Sequence, residues 1–111
     1  MIKLQIVERP GAELRRTLVE AMRSGRLRTF HAAKRGRKIT HTTYSGYMNW
    51  SDSGGLILCE IKSPQKPGAE WQLLGALVGR LADRYAGLVQ SITIQFPDAA
   101  SASAPGRRKQ R

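Results

Sequence analysis

The chain has 111 residues and a formal charge of +11, from 19 Lys and Arg against 8 Asp and Glu, with 41% hydrophobic residues. That length and apolar fraction fit one packed domain, exclude wholesale disorder, and require no metal or disulfide staple. The single Cys59 excludes an intramolecular disulfide framework and a multi-cysteine zinc site. No apolar run approaches the ~20 residues that span a bilayer, and no long hydrophobic stretch opens the chain, so a soluble cytoplasmic protein is expected.

Residues 2–7 alternate apolar and polar, which predicts a first strand with Ile2, Leu4 and Ile6 on one face. Pro10 and Gly11 end it. A helix follows over about 12–24, with Leu14, Leu18, Ala21 and Met22 on its apolar side and Gly25 as its stop. Residues 26–44 read as a hairpin in which Gly36 supplies the turn. If Arg35-Gly36 is a two-residue turn, Phe30 faces His41, Ala32 faces Ile39 and Arg28 faces Thr43. Residues 45–55 read as a Gly/Ser/Asp/Asn loop carrying Tyr47, Met48 and Trp50.

Residues 56–62 form the most apolar strand and are placed centrally. A second helix over about 68–86 puts Trp71, Leu74, Leu77, Val78, Leu81 and Tyr85 on one stripe. Gly75, Gly79, Ala82 and Ala86 form an adjoining small-residue stripe that would let a sheet approach closely. Pro10-Gly11-Ala12-Glu13 recurs as Pro67-Gly68-Ala69-Glu70, and both place proline and glutamate where a helix begins. Ile92, Ile94 and Phe96 mark a last strand ending at Pro97. The expected architecture is an α+β two-layer sandwich in the order β-α-β-β-β-α-β. Its sheet is mostly antiparallel with two helices on one face, a ferredoxin-like variant. Residues 1–97 make the domain, and 98–111 form a disordered Ala/Ser/Pro-rich, then basic, tail.

The positive charge is concentrated. Residues 23–38 hold Arg23, Arg26, Arg28, Lys34, Arg35, Arg37 and Lys38 without an acid, whereas 39–106 are close to neutral and the tail adds Arg107, Arg108, Lys109 and Arg111. Guanidinium and ammonium groups in such a run suit phosphate oxygens, and binding a polyphosphate releases its counterions. Arg26, Arg28, Lys34, Arg35, Arg37 and Lys38 are therefore the candidate DNA or RNA contacts, with Tyr47 available to stack on a base. Two other readings of the same charge are an acidic partner protein docking on a small regulator or inhibitor, and an edge hairpin guarded by cations. Tyr44 and Trp50 are expected to cover a core edge.

His31 and His41 fall one rung off direct opposition and on opposite faces of the hairpin. With Glu60 they are the residues a phosphodiester-cleaving acid/base set would use, but two histidines are ordinary for this length. No catalytic residue, cofactor or metal site is assigned, and a non-enzymatic binding protein is expected. Cys59 reads as a small core residue. The central α-β-β-β-α order is similar to that of double-stranded-RNA-binding domains. Those domains need a lysine-rich start to their second helix, where this chain has Pro67-Gly68-Ala69-Glu70 with Lys66 alone before it. The two βαβ crossovers equally resemble a ferredoxin-type sandwich with an added strand. An unpaired last strand or hairpin edge would let two copies form a homodimer by extending a sheet.

Overall fold

The computed structural model describes residues 1–97, so the expectation of a disordered tail and its four cations lies outside the described residues. Six strands and two helices follow one another as β1 (Ile2–Glu8), α1 (Leu14–Ser24), β2 (Phe30–Ala33), β3 (Lys38–His41), β4 (Tyr47–Ser53), β5 (Leu56–Lys62), α2 (Glu70–Arg84) and β6 (Val89–Gln95). They make an α+β fold with a single sheet in the order β2-β3-β4-β5-β1-β6, in which every neighbouring pair is antiparallel. β1 lies between β5 and β6, so the β5-α2-β6 crossover steps over it.

The element order differs from the sequence reading by one strand. Tyr47–Ser53 was expected to be loop, and it is β4, a seven-residue strand paired with β5 from Tyr47↔Lys62 to Ser53↔Leu56. Turn-forming Ser, Asn and Asp weigh against a strand by propensity, but Met48 and Trp50 at a spacing of two both enter the core. Burial overrides the local preference. Gly46 makes the entry possible, since its φ is +99° and a β-carbon there would collide with the Lys62 carbonyl oxygen.

Alternate residues of the strands supply the core: Ile2, Leu4 and Ile6 from β1, Ile57, Cys59 and Ile61 from β5, Met48 and Trp50 from β4, with Phe30 and Ile39 from the hairpin. Leu14, Leu18, Ala21 and Met22 of α1 and Leu73, Leu77 and Leu81 of α2 belong to the same hydrophobic cluster. Each of the buried Leu, Ile, Phe and Met side chains among them contributes roughly 1.5–3 kcal/mol against the entropy of ordering the chain. The intervening sheet residues Lys3, Gln5, Leu58, Ser51, Thr93 and Gln95 are exposed on the other side.

Two helical expectations change. α1 starts at Leu14, and its end is capped by the Glu8 carboxylate, which accepts from the backbone N–H of Leu14 (3.1 Å) and of Glu13 (3.3 Å), while Glu13 itself pairs with Arg16. α2 is turned relative to the expected stripe. Leu73, Leu77 and Leu81 face the core, Leu74, Val78 and Tyr85 are half-buried beside them, and Trp71 is exposed. At 100° per residue Trp71 lies about 200° from Leu73, hence its position on the outside. The same rotation takes Gly75 and Gly79 off the sheet: a β-carbon on either would meet nothing within 4 Å.

Candidate nucleic-acid interface

The hairpin register follows the expected pairing, with Phe30↔His41, His31↔Thr40, Ala32↔Ile39 and Ala33↔Lys38. Its turn is longer than two residues. Lys34, Arg35 and Gly36 are all left-handed, at φ of 53°, 59° and 80°. Two overlapping turns close them, Gly36 N–H to the Ala33 carbonyl (3.0 Å) and Arg37 N–H to the Lys34 carbonyl (3.2 Å). A left-handed conformation costs a non-glycine residue about 1–2 kcal/mol, so two in succession need support from outside the turn.

α1 and β4 provide that support. Gly36 is buried against Val19, Arg15 Nη2 donates to the Arg35 carbonyl at 3.0 Å, and Trp50 N–H donates to the Arg37 carbonyl at 2.8 Å. Arg15 also lies 3.7 Å from Asp52 of β4. Backbone groups thus point inward to fixed partners while the side chains of Lys34, Arg35 and Arg37 are exposed. None of Arg26, Arg28, Lys34, Arg35, Arg37 and Lys38 is ion-paired among the described residues. The ion pairs there join Arg15–Asp52, Arg16–Glu13, Arg84–Asp83 and the amino terminus to Glu70.

The structure brings some of the candidate cations together and separates others. Lys34, Arg35, Arg37 and Lys38 share the hairpin tip. Lys38 also carries the charge onto the outer face of the sheet, where its Nζ lies 4.6 Å from the centre of the Tyr47 ring, a cation–π contact. Arg26 and Arg28 flank the buried Leu27 in the turn that leads into β2, at the other end of that four-residue strand from the tip. There Arg84 of α2 donates to the Arg26 carbonyl at 2.9 Å. The sequence did not mark Arg15 as the residue that holds the tip, nor Arg84 as a neighbour of Arg26, because both contacts go to main-chain carbonyls that carry no sequence signal.

The aromatic and titratable residues divide between the two faces. Trp50 is buried, and Tyr44 is half-buried, stacked on His41 at 4.8 Å. His41 Nδ1 accepts from the Thr43 (3.0 Å) and Tyr44 (3.3 Å) N–H groups, while His31 meets Thr42 Oγ1 at 2.8 Å on the other face. Glu60 lies on β5, with β3 and β4 between it and His31, so His31, His41 and Glu60 do not converge. Among the described residues no group of three or more His, Cys, Asp and Glu could hold a metal ion. Burial pushes the Cys59 thiol up to about 12, against a smaller downward pull from the adjacent Trp50.

No protein-family model matches this chain, and neither a curated protein nor a solved structure matches it.

Proposed function

We propose that this protein binds nucleic acid without cleaving it, gripping phosphates with Lys34, Arg35, Arg37 and Lys38 at the hairpin tip. Arg26 and Arg28 form a second contact zone at the hairpin base, and Tyr47 beside Lys38 stacks on a base of a single strand. The observation that carries this reading is a tip of exposed cations, none paired to a carboxylate among the described residues, on a strained turn fastened by its backbone. Cations kept only to guard a sheet edge need no such fastening, whereas strained residues cluster where a ligand is held.

The test is a titration of fluorescent duplex and single-stranded oligonucleotides at several salt concentrations. Four phosphate contacts give a slope of log K against log salt of roughly −3 to −4. Replacing Lys34, Arg35, Arg37 and Lys38 with Ser removes most of the affinity and flattens that slope, while Arg26→Ser with Arg28→Ser weakens binding less. Absence of binding at low salt overturns the reading. Capture of one acidic protein that survives nuclease treatment would assign the same cations to a protein partner instead.

A further inference from the structure

The two edges of the sheet are built differently. β2, the edge bearing the basic hairpin, is four residues long and flanked by cations, the usual protection against strand addition. β6, the opposite edge, is seven residues long, and the stretch 85–97 contains no charged residue and no proline before Pro97. Its pairing with β1 is regular from Lys3↔Gln95 to Val7↔Ser91, with a shift only beyond Val7, so no bulge turns the middle of the strand away from a partner.

Apolar side chains line this unguarded edge. Ile92 and Ile94 pair with Ile6 and Leu4 and so point to the core side. Ile94 is nevertheless 38% exposed, and Phe96 just beyond is 62% exposed. Trp71, 63% exposed, is near the same end, since its neighbour Glu70 meets the amino terminus of Met1 at 3.8 Å and β1 begins where β6 finishes. Leu74 and Val78, half-buried on the flank of α2 away from the groove that Ala76 and Arg80 share with Phe30, continue the seam.

We propose that a second copy of this chain pairs with β6 in antiparallel register about a two-fold axis at Thr93, joining two sheets into one of twelve strands. The order of residues along β6 is self-complementary around that axis. Ile92 of one copy meets Ile94 of the other on the core side, and Ser91 meets Gln95 on the outer side. Charge favours a second copy placed here. The seven cations of residues 23–38 repel their counterparts in a second copy, and β6 is the edge farthest from the hairpin that carries most of them, about 24 Å away across five interstrand steps. An isologous contact at the neutral edge sends the two cationic tips to opposite ends of the assembly.

Light scattering on the full chain in high salt, from micromolar to sub-millimolar concentration, gives a mass of twice 12.3 kDa. Ile94→Lys puts a charge into the seam and halves the mass. Because that variant could also loosen the fold, Phe96→Ser serves as the second variant. Its residue lies beyond the strand and is largely exposed, so folding survives while dimer dissociation strengthens by about tenfold or more. Those amides of 89–95 that point away from β1 exchange slowly in the dimer and fast in either variant, while those bonded to β1 stay protected throughout. A monomeric wild-type chain at every concentration overturns the proposal, even if β6 captures a different protein, as does an unchanged doubled mass in both variants. The hairpin variants that lose oligonucleotide binding keep the doubled mass, so the two readings fail separately. Loss of association in those variants would mean bridging by polyanion and would also overturn the dimer.

Discussion

Arg15 Nη2 donates a 3.0 Å hydrogen bond to the carbonyl oxygen of Arg35, joining the first helix to the apex of the hairpin twenty residues later. A cationic side chain is thereby used to fix a cationic loop, through its backbone oxygen and with Asp52 balancing the guanidinium from the far side. Beside this bond the close approach of Gly36 to Val19 completes the contact.

Gly36→Ala tests that contact. The added β-carbon would lie 2.8 Å from Val19 Cγ2 and would sit at φ +80°, so two costs combine. A loss of about 1–3 kcal/mol in urea unfolding is expected. Val19→Ala in the same chain clears the space but leaves the backbone cost, so the double variant recovers the steric part of the loss and keeps the conformational part. Full additivity of the two single changes would show that Gly36 and Val19 do not touch.

Stability depends on pH through His41. Its ring is held below the ordinary value of 6.5 by partial burial first, then by the nearby His31 and Arg80. As pH falls through 6.5 the unfolded chain takes up a proton that the folded ring resists, so stability is fully present above that pH and declines below it. The decline stops once the folded ring is also protonated. His41→Asn retains an acceptor for the Thr43 and Tyr44 N–H groups and removes the titrating ring. The urea midpoint of this variant should fall less between neutral and mildly acid pH than that of the wild type.

Cys59 offers a probe of opening. With its thiol pushed up to about 12, it holds roughly a thousandfold less thiolate at neutral pH than a free cysteine, and burial blocks access besides. Native protein should remain unlabelled by a disulfide reagent over hours, with labelling rising along the same urea curve as the loss of tryptophan signal. Rapid labelling without denaturant would place β5 outside the stable core.

β1, which alternates cleanly, was legible residue by residue, and so was the hairpin register, because the four-residue loop is centred on Arg35-Gly36. β5 was placed by its apolar run alone, which does not show that Leu58 points to solvent. β4 was not, since its Ser, Asn and Asp residues carry a turn composition while only Met48 and Trp50 reveal the period of two. Trp71 misled for a different reason. A large aromatic at helical spacing looks like core, yet Leu73, Leu77 and Leu81 set the buried meridian of α2. In the candidate interface, the identity of the cations was visible but their division between a tip and a base was not. Linear proximity within residues 23–38 hides the length of an extended hairpin. The clamp by Arg15 was invisible because carbonyl groups are common to every residue.

A basic loop that wanders in solution surrenders chain entropy when it settles on a ligand, and part of its Coulomb gain is lost in that settling. Here α1 has already settled it: the folding reaction, rather than the encounter, bears the ordering of Lys34 through Arg37. Association at this tip should therefore be governed by approach and ion displacement, with little further rearrangement of the main chain.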